Sequence, residues 1–467
     1  MRAMSGQTEC ECVVVGGGPA GATLAGLLAQ RGHRVVLVDD GRDRRAMPEE
    51  TLLPAALRTL DQLGLRAAVT VGASPDPLPH GALWDSNAVV WQPAGDAGLR
   101  VARGAFDAHL RGWARDCGAQ VVSGSVVGPL PAGAGAVRVA AAAGGVHELR
   151  AQVCVVAAGR AVSGRLVPWR VVAESAPTAA LCLRGECPVE AAGGAVIEAV
   201  RDGWLWWAPL LGGGVSLGVF VDQDQLRARG ARQLVATLRA QARGPARTLL
   251  DARLAHAVVA TARLRHTAAP VLLVGDAAAT LDPLSSQGVE KALAGAEHAA
   301  CAVHTALRRP ELRALALAEH SRWERGLWRA HAAVAAAYYR RETRFADAPF
   351  WRRRQVPESP PVAAVPQLLV AAPGLRECTV LRRHGHELVP EPGHALPDAG
   401  VDPVGHVGPV ATAPLLAAFT TPCTVGAGIA QAARDPRLFV LPPRLVQDAV
   451  VELWRRGYLV AAAGSPE

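Results

Sequence analysis

The segment VLLVGDAAATLDPLSSQGVEKAL, residues 271–293, contains side chains whose types and order could do chemistry. An apolar strand leads into Gly275 and Asp276, a turn runs from Pro283 to Gly288, and a helix follows. A carboxylate accepts hydrogen bonds, and a helix N-terminus stabilises a nearby negative charge. The segment therefore predicts a strand, turn and helix that face a ligand. The alternative is an ordinary turn in which Asp276 only caps a helix.

A second motif lies near the amino terminus, in CECVVVGGGPAGATLAGLLAQRGHRVVLVDD. Its order of β-branched run, glycine-rich turn, Ala/Leu helix and second β-branched run predicts a βαβ unit. Gly16, Gly18 and Gly21 have the GxGxxG spacing, which lets the backbone approach a pyrophosphate. Asp39 ends the second strand, where a carboxylate can bind a ribose hydroxyl, and Asp40 is the alternative in register. The motif predicts a dinucleotide site rather than a glycine-rich turn without a ligand.

The two motifs together resemble those of FAD-dependent aromatic monooxygenases and flavin-dependent halogenases. The resemblance implies that FAD is the cofactor and that Gly275 and Asp276 hold its ribityl region. It also implies that Pro283 and Gly288 lie beside the isoalloxazine ring. A third stretch, RGAFDAHLRGW, resembles the Arg-x-x-Phe-Asp helix start of the same flavoproteins, which implies that Arg103 approaches FAD.

The source of electrons is left open by the stretch AQVCVVAAGRAVSGR. Monooxygenases of this type carry a strand that ends in Asp-Gly, whereas Ala158 stands here before Gly159. The alanine is similar to the form found in halogenase-like relatives. NAD(P)H could therefore reduce the flavin directly, or a separate flavin reductase could deliver the electrons.

Tryptophans in the middle of the chain are candidates for the substrate site. GWLWWAPL resembles the Trp-x-Trp-x-Ile-Pro signature of flavin-dependent halogenases, with Trp204, Trp206 and Pro209 matching and Ala208 departing. We expect Trp204 and Trp206, together with Trp84, to line the substrate cavity. The alternative is that these large side chains fill a core between sheet and helix.

Halogenation is disfavoured by the distribution of lysine. The halogenase resemblance implies a catalytic lysine in the N-terminal half, yet Lys291 is the only lysine in the chain. Its place on the helix after the flavin turn is the wrong segment for that role. An arginine differs too much in shape and acidity to substitute for it.

Two further stretches resemble one branch of this superfamily. RRAMPEETLLPAALRTLDQLGL and AAYYRRETRFADAPFWRRR are similar to the flavoproteins that hydroxylate a tryptophan within a partner protein during maturation of a tryptophylquinone cofactor. The resemblance implies post-translational modification of a peptide or protein that bears Trp. The oxidant would be a C4a-hydroperoxyflavin. A halogenase of an aromatic substrate and a geranylgeranyl-reductase-like flavoprotein remain as alternatives.

Few residues are candidates for catalysis, because the protein's part in such a reaction is placement. It must hold the indole over the flavin, exclude water and donate hydrogen bonds as charge develops. Glu50, with Thr51, is the candidate polar group near the reacting face. Glu50 could instead cap the helix that begins near Pro54. Asp282 is a weaker candidate that we expect to be structural.

These motifs must be positioned by an α/β chain (α+β) of several domains. We expect a Rossmann-like FAD domain of the aromatic-hydroxylase type, an antiparallel substrate sheet and a C-terminal winged-helix-like module. A helical segment would close the substrate side, and a Pro-rich linker would precede the C-terminal module. The expected boundaries are 10–75 with 100–170 and 262–310 for FAD, 76–99 with 171–261 for substrate, 311–355 for the helical segment, 356–367 for the linker and 368–467 for the module.

Composition excludes several classes of function. The net charge of +8 comes almost wholly from arginine, and the basic clusters are short and lack interleaved aromatic residues, so we expect no nucleic-acid partner. The nine Cys show no CxxC pair or metal-ligand spacing, so we expect no metal and a reducing compartment. No apolar run is long enough for a membrane span, and no signal sequence is evident, which favours a cytoplasmic location.

Overall fold

The computed structural model describes most of the chain, in two units. Contacts between residues divide it at 356/357, inside the predicted linker. Residues 44–48, at the start of the RRAMPEETLLPAALRTLDQLGL stretch, and residues 356–363 of the linker lie outside the described part. The described residues are 8–41, 49–75, 79–92, 98–131, 135–161, 166–187, 194–210, 213–267, 271–355, 364–397 and 400–462.

Unit 1 contains the elements up to α8, and unit 2 contains those from β22 onward. The strands are β1 (Thr8–Glu9), β2 (Cys12–Val15), β3 (Val35–Asp39), β4 (Glu49–Leu52), β5 (Ser74–Pro75), β6 (His80–Leu83), β7 (Val90–Gln92), β8 (Leu99–Ala102), β9 (Gln120–Val126), β10 (Gly135–Ala141), β11 (Val146–Ala151), β12 (Val153–Val156), β13 (Arg170–Glu174), β14 (Thr178–Glu186), β15 (Ala195–Val200), β16 (Gly203–Pro209), β17 (Val215–Asp222), β18 (Leu250–Val259), β19 (Arg263–His266), β20 (Val271–Leu273), β21 (Ala279–Thr280), β22 (Leu368–Ala371), β23 (Arg376–His384), β24 (Glu387–Ala395), β25 (His406–Val407), β26 (Val410–Ala411), β27 (Cys423–Thr424) and β28 (Leu459–Ala461). The helices are α1 (Pro19–Gln30), α2 (Pro54–Gln62), α3 (Arg66–Val69), α4 (Arg103–Asp116), α5 (Gln223–Gln241), α6 (Gly288–Arg308), α7 (Arg313–Arg341), α8 (Pro349–Arg352), α9 (Thr412–Ala418), α10 (Val425–Ala432), α11 (Pro436–Phe439) and α12 (Pro443–Arg455).

The predicted Rossmann-like sheet is present, with the order β1-β11-β10-β9-β3-β2-β12-β20 among the described strands. Strands β9, β3, β2, β12 and β20 run parallel. The valine-rich strands β2, β3 and β12 are buried along their whole length, as is typical of parallel strands covered on both faces. The register sets Val15 opposite Val38 and Val156, so these strands end at one edge of the sheet. That edge receives both cofactor motifs.

The predicted substrate sheet has the order β18-β14-β17-β16-β15-β6-β7 among the described strands. The four runs expected to be antiparallel, β14 to β17, pair in that way, and β6 joins β15 in parallel. Side chains alternate between the two faces of each strand. On β16, Leu205 and Trp207 therefore pack against α5, whereas Trp204 faces α7 and α8. Full burial of one such apolar side chain contributes about 1.5–3 kcal/mol.

Unit 2 has its own core. Its order of helix, strand, helix, short helix, helix and strand, from α9 to β28, is that of a winged-helix-like module. Strands β27, β22 and β28 form a sheet, and β23 and β24 form a hairpin. The buried side chains of this core all lie between Leu369 and Leu459. The last helix begins after Pro442, and no described side chain caps it.

The described helices include none that is both long enough and apolar enough to span a bilayer.

Candidate flavin and substrate site

The glycine motif forms the turn between β2 and α1. Gly16 has φ +108°, and a Cβ there would lie 2.5 Å from the carbonyl oxygen of Ala157. A Cβ on Gly21 would lie 1.9 Å from the carbonyl oxygen of Gly16. Gly18 precedes the first residue of α1, and among the described residues no side chain caps this helix. The N–H groups at the start of α1 are therefore available to a phosphate.

Asp39 lies beside this turn, whereas Asp40 is exposed. The Asp39 side chain is buried, and a Cβ on Gly17 would lie 2.8 Å from its carboxyl carbon. Arg111 joins the two segments, because its Nε lies 3.3 Å from Asp39 Oδ2 and its Nη1 donates to Gly17 O at 3.0 Å. The structure thus favours Asp39 over Asp40 as the carboxylate of the predicted cofactor site.

The second motif meets the first at the same edge of the sheet. Strand β20 is the neighbour of β12, and Gly275 follows it with φ +66°. A Cβ on Gly275 would lie 2.7 Å from the Cβ of Ala20, in the first turn of α1. Asp276 follows, with Arg160 Nε 3.1 Å from its Oδ2. Ala20 and Gly275, which are far apart in the sequence, are therefore neighbours in the fold.

Lys291 fixes the turn that holds Gly275 and Asp276. Its side chain is 1% exposed, and Nζ donates to the carbonyl oxygens of Gly275 at 2.6 Å and of Ala279 at 2.7 Å. Glu324 of α7 lies 3.1 Å from the same nitrogen and is itself buried. Burial raises the pKa of Glu324, and the ammonium of Lys291 opposes that shift. Lys291 is thus held inside the fold.

The turn from Asp282 to Gly288 leads into α6. Asp282 accepts a hydrogen bond from the backbone N–H of Leu284 at 3.0 Å, and the Tyr339 hydroxyl donates to its carboxylate at 3.2 Å. Burial raises the pKa of Asp282. Its contacts are those of the structural residue that the sequence predicts. Pro283 begins the short helical turn that follows.

Gly288 borders open space. A Cβ there would meet no described heavy atom within 4 Å. No described side chain caps the start of α6. A planar ring carrying negative charge would fit against such a surface, because the ring needs room and the charge needs free N–H groups. The predicted cofactor residues therefore fit a flavin.

Glu50 and Thr51 lie on β4, which pairs with β8. Glu50 Oε2 is 2.5 Å from Arg103 Nη1, and Asp107 Oδ1 is 2.9 Å from Arg103 Nε. The two carboxylates raise the pKa of the Arg103 guanidinium, although burial opposes the shift. The helix-cap alternative for Glu50 is wrong, because α2 begins after Leu53 and Glu50 is paired in a strand.

A second arginine ties this strand pair to the tryptophan strand. Arg100 Nη2 lies 2.9 Å from Glu49 Oε2 and also donates to the carbonyl oxygen of Pro209. Pro209 ends β16, the strand of the Trp-x-Trp sequence. The structure therefore places Glu50 and Thr51 close to the end of the substrate sheet.

The three candidate tryptophans differ in their surroundings. Trp204 is 2% exposed and stacks on Phe220, with ring centroids 3.6 Å apart, so its assignment to the substrate lining needs correction in favour of the core. Trp206 is partly exposed and lies 5.9 Å from the His80 ring. Trp84 is also partly exposed, and its indole N–H donates to the Tyr338 carbonyl at 3.0 Å. Trp84 and Trp206 remain candidates for substrate contact.

Comparison with known protein families shows to which family this chain belongs. The model of the FAD binding domain matches residues 9–165. The tryptophan halogenase model matches residues 94–371, which is more than half of the chain. This chain belongs to the tryptophan halogenase family. It is an FAD-dependent oxidoreductase.

Relatives within and around the family include both halogenases and a hydroxylase. Tryptophan 2-halogenase of Chondromyces crocatus is 27% identical over 375 residues, which cover 75% of this chain and 71% of the relative. The structure of QhpG, a peptidyl tryptophan dihydroxylase essential for tryptophylquinone cofactor biogenesis, has a TM-score of 0.70 and 26% identity over 96% of this chain and 100% of its own. The flavin-dependent halogenase CmlS has a TM-score of 0.74 at 20% identity, covers 98% of this chain and 97% of its own, and shows the fold alone.

Sequence reasoning missed some residues around the candidate flavin site. Arg111 could have been found, because Arg103, Asp107 and Arg111 follow one another at intervals of four on one face of α4. Arg160 directly follows Ala158 and Gly159, the pair that replaces Asp-Gly, and could have been predicted for that reason. Glu324 carries no local signal, because only the packing of α7 on α6 brings it to Lys291.

Proposed function

We propose that this tryptophan halogenase family member is an FAD-dependent monooxygenase that hydroxylates a tryptophan side chain within a peptide or protein. The observation that carries the proposal concerns lysine. Lys291, the only lysine of the chain, is buried and forms an ion pair with Glu324. It also donates hydrogen bonds to two carbonyl oxygens. It is therefore unable to reach an aromatic substrate as the catalytic ammonium that the halogenase resemblance requires.

Similarity to QhpG supports the choice of substrate. The alignment spans 96% of this chain and so extends over both units. Since QhpG is a peptidyl tryptophan dihydroxylase, a tryptophan within a polypeptide is the substrate class that we propose here.

The chain's own residues would provide placement. When bound and reduced, FAD supplies the activation of dioxygen, and the protein must orient the aromatic ring and keep water out. Trp206 and Trp84 offer partly exposed aromatic surface to an indole. Glu50, held by Arg103, is the polar group that we propose to orient the substrate from the end of the sheet. A carboxylate accepts hydrogen bonds and does not donate them, so Glu50 would orient a substrate group that donates.

Halogenation is the second candidate, because the matching family model and the curated relative are both named for it. The two reactions can be tested in one mixture. Purified protein is supplied with FAD, a flavin reductase, NADH, dioxygen and bromide, together with Trp-containing polypeptides encoded beside its gene. Mass spectrometry of the polypeptide then separates the outcomes.

An oxygen-sized increment on tryptophan, with isotope transferred from labelled dioxygen, would support the proposal. A bromine isotope pair would contradict the lysine argument and identify a halogenase. Flavin turnover without a modified polypeptide would refute the proposed substrate, and would leave a halogenase of a free aromatic compound or a reductase-like flavoprotein as the assignment. Omitting the flavin reductase tests whether NADH or NADPH reduces the bound flavin directly.

A further inference from the structure

A basic pocket lies in unit 1, outside the site described above. It has a volume of about 250 Å³ and is lined by residues of β13, β19 and α7. Arg170 enters it from β13, and Arg325 and Arg329 enter it from α7. His266, the last residue of β19, completes the polar part of the wall. None of the described residues that line it is acidic.

The cationic side chains that line this pocket repel one another. Arg325 and Arg329 are four residues apart on one helix, where like charges are unfavourable. Among the described residues, Arg170 and Arg329 have no carboxylate within ion-pair distance. The pKa of His266 is lowered by burial and by the charges of Arg170 and Arg325. Three arginines in one pocket, with no acidic side chain in its described lining, favour the binding of an anion.

The pocket also offers an apolar wall. Leu264, Val172 and the indole of Trp328 supply apolar surface beside the arginines. The ligand that fits has both a charged group and an apolar part.

We propose that this pocket binds a small organic phosphate. A phosphate presents several acceptor oxygens in different directions and can engage arginines from two elements at once, whereas a carboxylate is planar. The volume lies below the range of about 300–1,000 Å³ typical of drug-sized ligands, which favours a small phosphate ester over a dinucleotide.

The pocket is separate from the flavin motif but adjacent to it. On β19, Leu264 and His266 line the pocket, whereas the intervening Arg265 donates to the carbonyl oxygen of Asp276 at 2.8 Å. Leu264 also pairs with Ala279, which accepts a hydrogen bond from Lys291. A single strand therefore lies between the proposed phosphate and the flavin turn.

Isothermal titration calorimetry of the full-length, FAD-saturated protein tests the proposal without reference to catalysis. Saturation with FAD keeps the probes out of the cofactor site. The probes are phenyl phosphate, benzoate and inorganic phosphate, which separate a phosphate ester from a carboxylate and from the bare anion. The test variant is Arg170→Gln/Arg329→Gln. Arg232→Gln on α5 is the matched control, because it removes an exposed arginine far along the chain from the pocket.

Wild type and Arg232→Gln should bind one phenyl phosphate with equal affinity, more tightly than either benzoate or inorganic phosphate. The double arginine variant should weaken binding by about tenfold or more, because charge-assisted hydrogen bonds are lost. Absence of saturable binding, equal binding by the double variant, or tighter binding of benzoate or inorganic phosphate would each overturn the proposal.

Discussion

Lys291 stabilises the flavin turn through contacts that its place in the sequence does not reveal. Its charge is buried with that of Glu324, and two carbonyl oxygens accept its hydrogen bonds. Desolvating two charges is costly, and the loss of one partner leaves the other uncompensated. The side chain therefore affects both the stability of the fold and the shape of the turn.

Lys291→Met should lower the free energy of unfolding of the apoprotein by about 3–5 kcal/mol, because Glu324 remains buried without its cation. FAD should also bind more weakly, because the Gly275 and Ala279 carbonyls lose their shared donor. Urea denaturation measures the first effect, and quenching of flavin fluorescence measures the second.

The double variant Lys291→Met/Glu324→Leu separates the two effects. It should recover much of the stability, since an apolar pair can replace a buried ion pair. The weakened FAD binding should persist, because the carbonyl hydrogen bonds are still missing. Full recovery of FAD affinity would show that Lys291 acts only through the core.

Glu50→Gln tests the proposed orienting carboxylate. Since Arg103 keeps Asp107 as a partner and the ion pair is partly exposed, we expect the free energy of unfolding to fall by less than about 1 kcal/mol. Turnover of the polypeptide should fall roughly tenfold through loss of substrate orientation. Glu311→Gln, an exposed change in the short turn before α7, is the control. Unchanged turnover in Glu50→Gln would remove Glu50 from the list of functional residues.

At the scale of elements, the start of α6 has open space beside backbone N–H groups that need hydrogen-bond acceptors. These N–H groups lie next to the space at Gly288, and no described side chain caps them. A ligand that fills the space can accept their hydrogen bonds.

Gly288→Val should therefore leave the melting temperature nearly unchanged while weakening FAD binding by about tenfold or more, because the new side chain fills space that the ring needs. Gly326→Val on α7 is the matched control, since a Cβ there also meets no described atom within 4 Å. Thermal denaturation of the apoproteins and FAD titration provide the readouts. Wild-type FAD affinity in Gly288→Val would place the ring elsewhere.

The turn before α6 predicts a pH dependence of stability. Burial raises the pKa of Asp282 above its usual value of about 3.9, so the folded state binds this proton more tightly than the unfolded state. The resulting stabilisation is complete below about pH 4 and is lost as the pH rises through the folded pKa. Wild type should therefore lose stability relative to Asp282→Asn as the pH increases.

Urea midpoints of both proteins at about pH 4 and about pH 8 measure this difference. Asparagine can still accept the hydrogen bonds from Leu284 and Tyr339, so the comparison isolates the charge. Parallel curves for the two proteins would show that Asp282 titrates normally.

At the scale of the whole molecule, each of the two units has its own core. The buried clusters of unit 1 contain no residue of unit 2 among those described, and the reverse also holds. Each core can therefore form without the other. We propose that unit 2 serves the polypeptide substrate, as the full-length similarity to QhpG suggests.

Deletion of residues 368–467 should leave FAD bound with near wild-type affinity, because every cofactor residue lies in unit 1. Turnover of the polypeptide should be abolished. The measurements are the flavin content of the purified truncated protein and mass spectrometry of the substrate. Unchanged polypeptide turnover would refute the docking role of unit 2.

Much of the cofactor site could be predicted from the sequence, because its determinants are local. The βαβ order, the GxGxxG spacing and the Gly275–Asp276 turn each depend on residues close together in the chain. Strands β14 to β17 of the substrate sheet were also predictable from their apolar runs and turn residues, whereas β18, β6 and β7 were not identified. Local steric rules act within a few residues, so a single sequence contains them.

Only the tertiary structure decided how side chains from distant segments meet. It paired Glu50 with Arg103, assigned Trp204 to the core and surrounded Lys291 with Glu324 and two carbonyl oxygens. The same composition of charges and tryptophans would allow other pairings, because their energies depend on burial and distance rather than on order in the chain. The sequence by itself determined the flavin fold and its glycine turns, whereas packing determined which polar and aromatic groups remain available to substrate.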